Sequence, residues 1–383
     1  MVNDDVVHLC AAGIDISKSD AYVCVRRSRS GSSRPVTEVR RFGSTVPQVE
    51  ACRQWLVECG VECVAMESTS AYWMTFWQGL EHEKFELVLS NAHQVKQLRG
   101  RKTDIKDCVW LAKLAALGVA PVSFVPPPEV RDLRLATRHR VKLVGRMTSL
   151  VASLEKLLED TGLKLSEASS KLLTVSGRRI LDATCAGTTD PTMLAHLSQL
   201  RKTTGDALVE ALTMRLRPIH TPLIQSLLRQ IDTCTEETAC LDALIAMVTP
   251  WCEPQIVLLD TIPGIDRVLA TTIIAETGVD MSVFPTAGHL ASWAGVAPGS
   301  HQSAKMRRHA GVIQGNTHLK ASLGQAARSA VNTKDTFLRA RFYRLCAHHG
   351  EAKAYTAISH SIAISLWHML TKKEPYRDHG SDY

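Results

Sequence analysis

Four carboxylates in this sequence have the types and settings that divalent-metal chemistry needs. Asp15 closes an apolar run in GIDISK, and Glu67 does the same in VAMESTS. Asp104 and Asp107, in TDIKD, are three residues apart, which puts both on one face of a helix. A cap by Thr103 and the helix dipole offer Asp104 a purely local role, whereas Asp107 has no such explanation. Mg²⁺ or Mn²⁺ takes hard oxygen ligands and retains some of its waters. Two such ions ~4 Å apart hold the attacking and leaving oxygens of a phosphodiester displacement. Without a cation, clustered carboxylates repel one another. Lys18, Arg99, Arg101, Lys102 and Lys106 flank the acids and suit a polyanionic substrate.

The elements that would position these acids are legible from periodicity. VHLCAAGIDIS, AYVCVRR and PVTEVRRFG predict three strands joined by short connections, hence an antiparallel meander. TVPQVEACRQWLVECG predicts a helix with Thr45 near its cap and Gly60 past its end. VECVAMES is then a strand, SAYWMTFWQGLEHE a helix, FELVLSN a fifth strand, AHQVKQLRG a short helix and TDIKDCVWLAKLAALG a longer one. Strands separated by helices imply parallel crossovers. A mixed sheet of this order is that of a ribonuclease H-like (RuvC-like) α/β domain, with Asp15 and Glu67 at the ends of neighbouring strands. Trp73 and Trp77, an i, i+4 pair, are expected to pack against the sheet, and Trp293 to lie in a core.

FVPPPEV breaks the pattern. From Val130 to about Val248 the chain reads as almost wholly helical. VKLVGRMTSLVASLEKLLEDTGLKL carries a coiled-coil-like repeat suited to paired or dimerising helices. Arg131, Arg134, Arg138, His139, Arg140, Lys142 and Arg146 form a basic stretch interrupted by one acid, Asp132, and read as a phosphate-contacting face. A mainly helical last region starts near Trp251. LLDTIPGIDRVLATTIIAETG is helix-hairpin-helix-like, and the segment after it is rich in Gly, Ser and basic residues. The expected domains are 1–125, 126–250 and 251–383, an α/β domain followed by two helical ones.

Composition narrows the function classes. Of 383 residues 45% are hydrophobic and 22% charged, which excludes disordered and fibrous classes. The excess of Lys and Arg, 45 against 38 acids, permits a nucleic-acid partner. No apolar run reaches the ~20 residues of a membrane helix, and MVNDDVVHLC is acidic where a signal peptide is basic and lacks its apolar core. Eleven cysteines include no C-x-x-C pair; Cys59 and Cys63 come nearest to a ligand spacing, and no second pair answers them. Reduced thiols in a cytoplasmic protein are expected.

GIDISK, MESTSAYW and RGRKTDIKD together resemble the N-terminal domain of IS110-family transposases, whose acidic tetrad matches Asp15, Glu67, Asp104 and Asp107. IPGIDRVLATTIIAETG and FPTAGHLASWAGVAPGSHQSAKMRRHAGVIQGNTHLKASL resemble that family's C-terminal transposase domain. The resemblance covers both ends of the chain, while the helical middle matches only in character. It implies a nucleophilic serine shortly after GVAP, which places Ser303 of HQSAK in that role, with Ser300 as the rival. Ala304 and Lys305 stand where the family commonly has Gly. Lys305, Arg307 and Arg308 would neutralise the attacked phosphate, and His301 or His309 lies nearby. Asn316 and Lys320 in GNTHLK resemble a Gly-Asn-x-x-Leu-Arg segment and are expected to contact nucleic acid.

The resemblance further implies a cytoplasmic, nucleoid-associated bacterial recombinase. It would join donor and target DNA through a covalent phosphoserine, act as a homodimer or homotetramer and be guided by an element-encoded non-coding RNA. The alternative is a metal-dependent structure-specific endonuclease resembling Holliday-junction resolvases, with water as its nucleophile.

Overall fold

The computed structural model describes residues 6–28, 35–67, 71–91, 104–165, 172–197, 205–299, 301–303, 306–308 and 314–381. It forms two compact units, Met1–Val125 and Pro126–Tyr383. In the first, β1 (Cys10–Ile16), β2 (Asp20–Arg27), β3 (Val36–Gly43), β4 (Cys63–Glu67) and β5 (Glu86–Ser90) form one sheet in the order β3-β2-β1-β4-β5. The β3–β2–β1 pairs are antiparallel, and β1–β4–β5 are parallel. This is the mixed sheet expected from the sequence. The expected short helix over AHQVKQLRG lies outside the described residues.

Strand alternation divides the sheet into two faces. Ala12, Ile14, Ile16, Val64, Met66 and Leu89 pack with α1 (Val46–Glu58) and α2 (Trp73–Leu80), whose Val49, Trp55, Leu56, Phe76 and Leu80 are buried. Thr45 is the N-cap of α1, and Gly60 follows its end at φ +66°. Trp73 and Trp77 pack against this core, as their spacing predicts, and edge to face on each other with ring centres 5.9 Å apart. On the other face Ala11, Cys63, Ala65 and Val88 meet Leu111, Leu114 and Ala115 of α3 (Asp104–Ala116).

The second unit begins with α4 (Pro128–Thr161), which Gly162 ends in the left-handed conformation. It continues through α5 (Val175–Cys185), α6 (Pro191–His196), α7 (Asp206–Ala211) and α8 (His220–Val248). The apolar repeat of α4 is used within the chain: Leu154 and Leu158 share a core with Ile224, Leu228 and Ile231 of α8. After these come α9 (Glu253–Asp260), α10 (Arg267–Thr277), α11 (Ala287–Trp293), the hairpin β6 (His301–Ser303) and β7 (Met306–Arg308), α12 (Thr317–Asn332), α13 (Phe337–His349) and α14 (Glu351–Lys372).

The TIPGID turn joins α9 to α10 as the helix-hairpin-helix reading expects. Gly264 within it has φ +87°, and a Cβ there would overlap the backbone of α12 at Ala326 and Ala330. Trp293 is half-buried against Phe284, with ring centres 5.3 Å apart. No described helix is long and apolar enough to cross a membrane.

Candidate active site

Asp15 and Glu67 meet at one end of the first unit's sheet. The parallel register pairs Ile14 with Met66, so one residue further on the two acids stand side by side. Ile14 and Met66 point into the α1–α2 core, so alternation turns both acids to the α3 face. The next strand extends the row, because Glu67 pairs with Ser90. Ser90 is fully buried, and its hydroxyl has no hydrogen-bond partner among the described residues. Both acids are half-buried at the carboxyl ends of parallel strands, where open α/β sheets bind their ligands.

Helix α3 brings the remaining acids to the same end. Its last turn lies near the start of β1, since the Ala116 carbonyl accepts hydrogen bonds from the amides of Val7 (2.9 Å) and His8 (3.1 Å). Its middle lies on Gly13, where a Cβ would overlap the Cys108 carbonyl oxygen and the Ala112 amide. The helix therefore runs antiparallel to β1, and its N-terminus, the positive end of its dipole, faces the end that carries Asp15 and Glu67. Asp107 is half-buried one residue before Cys108. A hydrogen bond with Cys24, burial and the charge of Asp15 all push the Cys108 thiol up. Asp104 is the first residue of α3, and its side chain is outside the described set, as is the Thr103 cap.

This donor set fits a hard divalent cation. Carboxylates gathered from two strand ends and one helix supply oxygen alone. The Ser90 hydroxyl beside them, without a partner among the described residues, can accept a hydrogen bond from a bound water or donate one to it. Ser90 and Gly13 were not among the residues the sequence singled out. Ser90 reads there as an ordinary strand end, although the small residue two places before Asp15 was a visible signal.

The basic candidates have diverse surroundings. Lys18 is exposed in the β1–β2 turn, and Lys142 and Lys320 are exposed on α4 and α12. Arg138 is engaged within the second unit, its Nε and Nη2 reaching the two carboxylate oxygens of Glu276 at 2.7 and 2.8 Å. Glu276 is fully buried on α10 and also accepts a hydrogen bond from Asn316 Nδ2 at 2.7 Å. Asn316 caps α12, its Oδ1 accepting from the amides of His318 and Leu319. Arg134 donates to the last carbonyls of α10, Ala275 at 3.0 Å and Glu276 at 2.6 Å, and burial lowers its pKa to about 10. Arg140 pairs with Asp242 of α8. Arg134, Arg138, Arg140 and Asn316 thus tie helices together, and the exposed positive charge of α4 near its middle is carried by Lys142 and Arg146. Glu276 is a further residue the sequence reading passed over, though a lone acid in LATTIIAETG is its visible mark.

Ser303 ends β6 and pairs with Met306 of β7, which places it beside the hairpin connection. Arg307 and Arg308 lie on β7; the side chains of the hairpin are not among those described. Ser300, Lys305, His309, Arg99, Arg101 and Lys102 lie outside the described residues, and Lys106 is described only as part of α3. The base of the hairpin segment is closed tightly. The Asn316 amide donates to the Trp293 carbonyl at 2.8 Å, and a Cβ on Gly315 would overlap the backbone of Gly295.

Comparison with known proteins agrees with this layout. Residues 12–162 match a family model for the DEDD-type IS110 transposase, described as "Transposase". Residues 257–343 match a second, described as "Transposase IS116/IS110/IS902 family". A transposase for insertion sequence element IS1111A from Coxiella burnetii (strain RSA 493 / Nine Mile phase I) is 23% identical over 329 residues, 83% of this chain and 80% of that protein. A DEDD-type transposase domain implies dependence on divalent metal, in keeping with the acids at the sheet end. Both transposase segments occur in order on one polypeptide, and the chain belongs to the IS110 family of transposases.

Proposed function

We propose that this transposase is a serine-using DNA recombinase that cuts and rejoins the DNA of an insertion sequence. The observation that carries the reading is the alignment of Asp15 with Glu67 at the carboxyl ends of β1 and β4, with the N-terminal half of α3 bringing Asp107 to the same end. Asp15, Glu67, Asp104 and Asp107 would hold Mg²⁺ or Mn²⁺, which when bound supplies positive charge to the oxygens of the scissile phosphate. Ser303 supplies the nucleophile. Its Oγ bonds to phosphorus as the bond to one DNA oxygen breaks; the serine proton passes to a general base, and the released DNA oxygen is protonated. The phosphoserine keeps the phosphodiester's bond energy available for rejoining, which hydrolysis would lose. Lys305, Arg307 and Arg308 neutralise charge on the attacked phosphate. Lys18, Arg101, Lys102, Lys142 and Lys320 extend contact along the nucleic-acid backbone, whereas Arg138 and Asn316 support the second unit from within.

Exchange of two DNA partners favours a dimer or tetramer acting in the cytoplasm, and an element-encoded RNA would choose the sites by base pairing. The decisive experiment traps a covalent protein–DNA adduct and locates it by mass spectrometry of a protease digest. An adduct on Ser303 that Ser303→Ala abolishes supports the reading. Cleavage without an adduct in either protein would assign the nucleophile to water. Omission of the RNA transcribed from the element's own end should abolish site choice in the same reaction.

A further inference from the structure

At the end of the sheet opposite the acids, three different ligand types converge. One ligand atom each from His8, Cys63 and Glu86 lies within 4.8 Å of the others. The register explains part of this: Ala11, Cys63 and Glu86 form one row across β1, β4 and β5, and alternation turns Cys63 and Glu86 to the same face. Ala11 leaves the row open. His8 comes in from the segment before β1, held there by its amide bond to the Ala116 carbonyl at the end of α3.

We propose that His8 Nε2, Cys63 Sγ and a Glu86 carboxylate oxygen bind one Zn²⁺, with water completing the tetrahedron. Nitrogen, sulfur and oxygen donors together suit Zn²⁺ and are a poor match to Mg²⁺, which takes oxygen. His8 Nε2 already lies 3.4 Å from Glu86 Oε2. Its other ring nitrogen, Nδ1, is 3.9 Å from Glu62 Oε2, and that same oxygen accepts the Leu9 amide at 2.8 Å. This approach is longer than a hydrogen bond; closed on metal binding, it would become the carboxylate–histidine pair that orients metal-bound imidazoles. The C-terminal end of α3, to which this segment is bonded, is the negative end of the helix dipole and favours a cation. On binding, Cys63 gives its thiol proton to solvent as the Zn–Sγ bond forms, and no electrons are transferred.

The site is separate from the acids. Cys63 opens β4 and Glu67 closes it, four residues or roughly 13 Å away along the strand. His8 also lies outside the segment matched by the transposase model, which begins at residue 12. Bound Zn²⁺ would fasten the segment before β1 across the starts of β4 and β5.

The test uses the full chain purified without a metal-binding tag. Metal analysis should find one Zn²⁺ per chain, and Co²⁺ titration should give a thiolate-to-cobalt charge-transfer band. His8→Ala and Cys63→Ser should each weaken Zn²⁺ binding at least tenfold against a chromophoric chelator, and Glu62→Gln by about tenfold. Asp15→Asn should leave Zn²⁺ affinity unchanged, and excess Mg²⁺ should not displace the ion. Circular dichroism checks that each variant is folded. A wild-type chain that binds no Zn²⁺, or a folded Cys63→Ser chain that keeps the cobalt band and the affinity, would overturn the assignment.

Discussion

Gly13 and Cys108 meet backbone to backbone, with no room between them for a single additional carbon. This contact sets the distance between β1 and α3, and so between Asp15, two residues after the glycine, and Asp107, one residue before the cysteine. Gly13→Ala should force α3 away from the sheet. The expected result is a destabilisation of roughly 1–3 kcal/mol, typical of overpacking, with a loss of DNA cleavage out of proportion to it. Thermal unfolding and a cleavage assay on the same preparation check this; wild-type values in both would mean that the close approach does not position the acids.

Asp15→Asn and Glu67→Gln should each lower strand cleavage about a hundredfold or more, at or beyond the upper range for residues that support a bound metal, while the protein stays folded. Ser90→Ala separates the site from the core. Its hydroxyl is buried without a hydrogen-bond partner among the described residues, so removal should be neutral or stabilising, yet cleavage should fall if it orders a water in the site. Undiminished cleavage in Ser90→Ala would show that the hydroxyl serves no ligand.

Glu276 links three helices through Arg134, Arg138 and Asn316. Burial works to raise its pKa, but the Arg138 hydrogen bonds and the Arg134 charge outweigh it, and the carboxyl titrates below its usual 4.5. A folded value below the unfolded one means that the ionised carboxylate stabilises the fold above about pH 4.5, and that this contribution is lost as the pH falls through the folded value. Glu276→Gln removes the buried counter-charge of two partly buried guanidinium groups and should cost about 3 kcal/mol near neutrality, the lower end for a broken buried pair. Denaturant unfolding across pH should show the gap between wild type and variant narrowing below pH 4.5. A gap independent of pH would contradict the assignment.

Ser303→Ala should remove the covalent adduct and essentially all recombination while leaving DNA affinity nearly unchanged, because phosphate contacts dominate that affinity and one neutral hydroxyl adds little. Equilibrium binding and adduct yield, measured together, separate these effects. Adduct formation on Ser300 in the wild type would move the nucleophile three residues upstream.

The sequence alone determined the five strands of the first unit's sheet, the helices packed on it and the ends on which the acids sit, because alternation and helical periodicity are local properties of the chain. Asp15 and Glu67 were legible as strand ends for that reason, and Asp104 with Asp107 as one helix face. Register is not local. The ribonuclease H-like order already put Asp15 and Glu67 on neighbouring strands, but only the folded sheet fixed their register, set Ser90 next in the row and aligned Cys63 with Glu86 at the other end. The charged residues divide in the same way. A run of arginines on α4 reads as one basic face until tertiary packing commits Arg134 and Arg138 to Glu276, which is 138 residues from Arg138 in the chain. Ligand spacing singled out Cys63 but not His8 or Glu86, because such spacing detects donors on one turn or hairpin, whereas Glu86 reaches Cys63 through parallel pairing and His8 is held near them by its bond to the Ala116 carbonyl.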